Sequence, residues 1–546
     1  MPPRPRLRLF VVFPLALTAI VVLLAGRWMW GSARLVPDRG GSYVEAVAGR
    51  PQFINPLLSQ FNEIDRDLVA LVFAGLTKPG DEGRIEPDLA ESWEISADGT
   101  VYTFRLRADR KWHDGQPVTA DDVVYTVRAL QDPSFPGLPD LAAMWKGVKV
   151  TKVDERTVKF TLPKPYGPFL EQASIGLLPA HILADVPVAN MAEHPFNGSP
   201  MGSGPYKFER ADAQELTLVP DPAYPGPQPY LDSITFRFYP STLASVTALL
   251  QGEVGGVRYV PPEEVAALRQ NEGLTVYSVP QEGRAAVLFL NARKPPFDDP
   301  LVRRAVALSV DRQALVDGAL SGEGEPSYGP IGPLSWGYQE AAPNGPAVAE
   351  AQSLLTQAGW QDSDGDGVLD KEGEPFTISL ETSYSPKHQR TAETLAAQLA
   401  KVGVKVTVSA RSWDEFRDAR LVPRDFTAAL AEVLLPNYDP DVWAFWHSSQ
   451  AEDGFNFSGW QNARADELLT AGRQTWDPQA RQKIYARFLD LFQAEAPAVF
   501  LYYPAYHYAL SNEVKGAELD ALLDPTGRFR TLNQWYVREK RVFLQP

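Results

Sequence analysis

The 546-residue chain contains no cysteine. Disulfides, thiolate nucleophiles, iron–sulfur clusters and cysteine-ligated zinc are thereby excluded, as is lipid attachment through an N-terminal cysteine. Histidine is scarce as well. The six residues (His113, His181, His194, His388, His447, His507) never lie closer than 13 positions, so there is no local His-rich metal motif. Positive charge is in deficit: 52 Lys and Arg stand against 68 Asp and Glu, a net charge of −16. Nucleic acid is therefore not an expected partner, because binding a polyanion needs a basic surface that displaces counterions. Catalytic templates are missing too, with no G-x-S-x-G elbow, no H-E-x-x-H pair and no G-x-x-x-x-G-K-[ST] phosphate loop. The adjacent carboxylates Asp121-Asp122 and Asp298-Asp299 would face opposite sides of an extended segment. Both pairs stand at expected helix starts, where capping accounts for them. The expectation is a protein that is not an enzyme, with an extracytoplasmic hydrolase as the remaining catalytic alternative.

What is present is ordinary globular material. Hydrophobic residues make up 44% and charged residues 22%, and at roughly 150 residues per domain the length holds three or four domains' worth of core. One long apolar run occurs, the uncharged stretch from Leu9 to Gly26, preceded by Arg4, Arg6 and Arg8. Its length lies where long signal peptides and short membrane-spanning helices overlap. The basic flank should stay cytoplasmic, which places everything after Trp30 outside the cytoplasm. Gly31 and Ala33 suit a cleavage site, while Trp28 and Trp30 suit an interfacial anchor. Residues 1–36 are thus read as a signal peptide or membrane anchor, and the protein as exported or anchored in the periplasm or on the outer face of the membrane.

The many Pro (48) and Gly (40) favour short elements. Strands are expected at 43–47, 101–107, 157–162, 206–209, 234–239 and 285–290, and helices at 65–76, 119–130, 241–250 and 302–308. Beyond residue 350 helix and strand alternate: 348–358, 377–381, 389–402, 405–409. This is α/β logic, strands covered by helices.

Several stretches, in order, resemble family 5 solute-binding proteins of ABC importers, the group handling oligopeptides, dipeptides and nickel complexes. They are the segment 106–125 around Trp112-His113-Asp114-Gly115, the Gly202-Ser203-Gly204-Pro205-Tyr206 turn, and Phe289-Leu290-Asn291 followed by 297–306. Asp439-Pro440-Asp441 and Asn456-Phe457-Ser458-Gly459-Trp460 complete the series, which spans about residues 43–540. The resemblance implies an α/β, two-lobed periplasmic-binding-protein-like fold with an additional domain. One lobe would gather 37–80, 200–290 and 500–546, with 81–199 as its additional domain, and 291–499 would form the other lobe. It also implies capture of a solute between the lobes, a peptide by family default, and docking of the closed form on ABC permease subunits. An oligosaccharide-binding subunit and an anchored sensing module are the alternatives. A monomer is expected.

The candidate ligand contacts concentrate at Asn437, Tyr438, Asp439, Asp441 and Trp443, where two carboxylates sit beside rigid aromatics that could hold an amine or hydroxyls. Family peptide binders carry an Asp four residues before the proline of the Asp-Pro pair, where it meets the peptide α-amine. Here that position is Pro436, so the amine contact falls to Asp439, Asp441 or another acid. Ser203 and Gly204 could present backbone groups, and Asn291, Trp413 and Tyr503 complete the set. A separate motif runs from Asp362 to Asp370. Asp362, Asp364 and Asp366 occupy calcium-loop positions 1, 3 and 5, with Gly367 at 6, the Val368 carbonyl at 7 and Asp370 at 9. Gly373 replaces the usual Glu at position 12, and Glu374 follows one residue late. A structural calcium ion that ties this loop is the expectation.

Overall fold

The computed structural model describes residues 33–80, 83–340, 346–435 and 437–543. The apolar run 9–26 and Pro436 lie outside the described residues, and no helix among those described is long and apolar enough to cross a membrane.

Two lobes share one hydrogen-bonded sheet of twelve strands. In the first lobe, Ser42–Ala48 lies parallel to Ser233–Tyr239 on one side and to Gly256–Val257 on the other. Its side chains alternate, as a strand buried on both faces requires. Tyr43 and Val47 enter the large core, and Ala46 enters a smaller one beneath the helices Thr242–Leu250 and Pro262–Leu268. In the second lobe, Thr377–Ser383 pairs in parallel with Lys405–Arg411 and with the start of Ala428–Leu434. Arg284–Leu290 runs antiparallel to Ala428–Leu434. The apolar run after Arg284 divides by parity: Ala286, Leu288 and Leu290 pack on one layer of helices, and Ala285, Val287 and Phe289 on the other.

The strand Ala498–Ser511, 14 residues long, crosses between the lobes. Its first half pairs with Arg284–Leu290 and Gly324–Pro326, and its second half with Leu274–Pro280 and Gly256–Val257. A four-stranded antiparallel sheet (Ala90–Ile95, Val101–Leu106, Thr157–Thr161, Lys149–Asp154) builds the additional region. Packed rings of Phe104, Trp145, Phe160 and Phe169 fill it, and its core is continuous with that of the first lobe. Both suspect carboxylate pairs act as helix starts. Asp122 accepts from the Thr119 backbone N–H at 2.8 Å, and Asp299 caps Pro300–Ser309 through the Leu301 N–H at 2.8 Å.

One buried ion cluster ties the first lobe together. Arg528, wholly enclosed, donates to Glu45 Oε1 at 2.5 Å and to both oxygens of Asp67 at 2.9 and 2.7 Å. Removing one partner of such a set leaves buried charge uncompensated. Arg528→Met is therefore expected to lower unfolding stability by about 3–5 kcal/mol in urea denaturation of the first lobe. A loss below about 1 kcal/mol would show that the cluster is not structural.

Candidate functional site

In open α/β sheets ligands bind beyond the carboxyl ends of the strands, where the strand order switches direction. Ser42–Ala48 is such a point, flanked by a parallel strand on each side. Large apolar side chains stand exposed in the segments that follow these strand ends: Phe61, Leu243 and Tyr259 in the first lobe, and Tyr384, Trp413 and Leu434 in the second. A cavity of about 480 Å³ opens here, lined by Arg50, Phe61, Thr242, Arg258, Tyr259 and Arg284 among others. That volume lies in the range of small-ligand sites. Arg284 pairs with Glu432 at 3.5 Å. Burial pushes the Glu432 carboxyl up, but His388 and Lys387 beside it prevail and hold it well below the usual carboxylate range.

The segment 437–446 borders a second cavity of about 690 Å³ between the lobes. Asn437, Tyr438 and Asp441 line it from the second lobe, and Tyr166, Glu171 and Tyr206 from the first. Asp441 accepts from Arg473 at 2.8 Å, and the Arg473 guanidinium lies 4.4 Å above the Trp443 ring. Asp439 is buried and bound at both oxygens by Arg481, one contact at 2.6 Å. A ligand amine reaching either carboxylate would share it with an arginine.

The two lobes meet through Glu171. Its Oε1 accepts the Tyr438 N–H and its Oε2 the Asp439 N–H, both at 2.8 Å. Burial, reinforced by the negative charge of Asp439, pushes the Glu171 carboxyl up to about 7 against those two donors and Arg481. Close by, the Gly167 N–H donates to the Arg473 carbonyl at 2.8 Å.

The remaining candidates are placed apart from this segment. Trp413 is exposed just past the carboxyl end of Lys405–Arg411. Asn291 sits at the opposite end of the sheet, where its amide donates to the carbonyls of Arg424 and Phe426 at 3.0 and 2.8 Å. Tyr503 is buried in the core of the second lobe. Ser203 and Gly204 pack against the end of the helix Glu63–Val72, where a Cβ on Gly204 would lie 2.6 Å from the Leu71 carbonyl. That crowding accounts for the glycine. In the acidic loop, Asp362, Asp364 and Asp366 bring carboxylate oxygens within 4.8 Å of one another. Asp370 accepts from the Ser363 N–H at 2.8 Å, Glu374 pairs with Lys371 in a two-residue ladder, and the Val368 N–H donates to Asp366 at 2.8 Å.

Glu171, Arg258, Arg284 and Glu432 escaped the sequence reading. Arg284 carried a faint signal, a charge opening an otherwise apolar strand. Glu171 carried none, because its partner amides lie 267 and 268 positions away.

The family model described as bacterial extracellular solute-binding proteins, family 5 Middle, matches residues 84–455. The oligopeptide-binding protein AppA of Bacillus subtilis is 31% identical over 493 residues, covering 88% of this chain and 89% of that protein. The dipeptide-binding protein of Escherichia coli is 27% identical over 470 residues, covering 80% and 84%. The solved structure of AppA from Bacillus subtilis in complex with a nonapeptide superposes with a TM-score of 0.67 at 28% identity, covering 92% of this chain and all of that one.

The Glu171 contact has a defined pH dependence. Its carboxyl titrates near 7 in contact and near the ordinary 4.5 when the elements part, so protons favour the contact. The added stability is complete below about pH 4.5 and is lost as pH rises through 7. Hydrogen exchange at Tyr438 and Asp439, corrected for intrinsic rates, should show weaker protection at pH 8 than at pH 5.5. Glu171→Gln should remove that difference; a wild-type protein with equal protection at both values would contradict this assignment.

Proposed function

Because this chain belongs to the family 5 bacterial extracellular solute-binding proteins, we propose that it is the extracytoplasmic capture subunit of an ABC importer, taking an oligopeptide between its lobes and handing it to membrane permease subunits. The role is binding and delivery as a monomer, without a catalytic step, and the run 9–26 serves as export signal or anchor. Closure follows only from a ligand that binds the closed arrangement more tightly than the open one.

The observation that carries the peptide reading is an unpaired strand edge. Thr377–Ser383 pairs with Ala428–Leu434 only at Leu380↔Ala428 and Glu381↔Ala429. From Ala431 to Leu434 no described strand pairs with the edge facing away from Arg284–Leu290. An extended peptide could add there as a further strand, its main chain supplying the hydrogen bonds and its side chains meeting Tyr384, Trp413 and Leu434. Main-chain pairing tolerates many sequences, as an oligopeptide importer needs. An oligosaccharide offers the aromatic faces a stacking partner but has no complement to a strand edge.

Native mass spectrometry of the full chain, purified in detergent without denaturation, tests this. A co-purifying mass that fragments into amino acids is expected, and a hexose series would overturn the peptide reading. We also propose a structural calcium ion at Asp362, Asp364 and Asp366, supported by their spacing and by Gly367 in a left-handed conformation at loop position 6. The melting temperature should rise by at least about 2 °C in calcium relative to chelator. Coincident midpoints would exclude the ion.

A further inference from the structure

A cavity of about 460 Å³ lies in the second lobe beside the start of Ala498–Ser511, between the helices Pro300–Ser309 and Pro478–Glu495. It shares no lining residue with the two cavities of the cleft. Ala498–Phe500 pairs with Arg284–Leu290 on one edge, while Gly324–Pro326 joins the other edge only from Tyr502 onward. Arg312 meets the edge left open. Its Nε donates to the Phe500 carbonyl at 2.8 Å and to the Ser327 carbonyl at 2.9 Å, and its guanidinium lies 5.0 Å from the centre of the Tyr328 ring.

Arg312 also lines the cavity, and with Nε spent on two carbonyls its Nη nitrogens are the donors left for a ligand. Neither has an acceptor among the described residues, and neither is sealed off by protein. Burial pushes the guanidinium down to about 10, and no carboxylate is near enough to oppose that shift. The neighbouring Arg303 and Arg304 are paired, with Glu495 at 3.1 Å and Glu350 at 2.8 Å. Asp490, on the same wall, is exposed and makes no ion pair with Arg312. A partly buried cation without a counter-charge is a cost that a bound anion removes. The remaining wall is largely apolar, including Leu308, Val310, Phe492, Ala496 and Phe500.

We propose that this cavity binds a small organic acid, its carboxylate on the two Nη nitrogens of Arg312 and its apolar body along Leu308, Val310, Phe492 and Phe500, as an accessory ligand separate from the solute held between the lobes. The planar fork of a guanidinium matches the two oxygens of a carboxylate. The volume suits a ligand of more than a few atoms, and a bare inorganic anion would leave the apolar wall uncovered.

Fluorine NMR of 4-fluorophenylacetate and of its neutral amide, each titrated with the full chain in detergent, tests the inference. The acid should bind about tenfold or more tighter than the amide, the discrimination expected of a charged hydrogen bond. Equal affinities, or binding of neither compound, would overturn the proposal. Ala494 lines the cavity from its exposed side, so Ala494→Phe fills the space while leaving Arg312 and its two carbonyls in place. It should weaken the acid about tenfold. Arg312→Gln, read beside its melting curve, should abolish the preference for acid over amide. Acid binding unchanged in Ala494→Phe and in a folded Arg312→Gln would place the acid elsewhere and overturn the assignment. Displacement of the acid by inorganic phosphate as readily as by unlabelled phenylacetate would overturn the role of the apolar wall.

Discussion

Arg528 is the point on which the first lobe is assembled. Taking a guanidinium and two carboxylates out of water is expensive, and the cost is offset here by charge-assisted bonds from both Nη atoms of Arg528, while its enclosed Nε is left without a partner. Glu45 comes from the central strand, Asp67 from the helix that follows it, and Arg528 from near the C-terminus. The hydroxyls of Tyr43 and Tyr508 close the set on Glu45 at 2.9 and 2.7 Å. Segments more than 400 positions apart are therefore held in one arrangement, because any other strands a charge in the core. The alternating charges then continue outward through Asp67 to Arg258 at the cavity wall. The precision of that wall comes from the same buried set that holds the lobe.

The second constraint is the strand Ala498–Ser511. A strand paired in both lobes lets them move relative to each other only by bending where the pairing changes hands. That place is marked in the chain. Gly283 lies between Leu274–Pro280 and Arg284–Leu290, and a Cβ there would stand 1.9 Å from the Leu523 carbonyl. Only glycine admits that approach. The neighbouring Glu282 accepts the Leu334 N–H at 2.7 Å, while its own N–H donates to the Leu522 carbonyl at 2.8 Å. The crossing is thus hydrogen-bonded on both sides. The Glu171 contact lies away from this crossing, in the additional region, and adds a point of attachment whose strength varies with proton concentration.

Most elements were legible because local and global preferences agree. Arg284–Leu290 reads as a strand from its apolar run, and Ala120–Gln131 as a helix from Thr119 and Asp122. The expected helix at 65–76 begins two positions earlier and ends at Val72, because Asn62 caps it and the chain turns extended at Phe73. The site was harder to read for a physical reason. Asp439 and Asp441 look like free acids in a linear text, yet their arginines are 42 and 32 positions downstream. A sequence shows which charges exist, but which are spent on each other is a property of the fold. Enclosed donors without a partner, such as those on Arg110, Arg258, Arg284 and Arg528, likewise become visible only through what surrounds them.

The cleft's components divide the work of recognition by kind of interaction. A strand edge reads only that a main chain is present and extended. Exposed aromatic faces accept apolar and polar side chains with modest and similar gains. Neither fixes where a ligand begins or ends, so a cleft made of these alone would let a long chain slide.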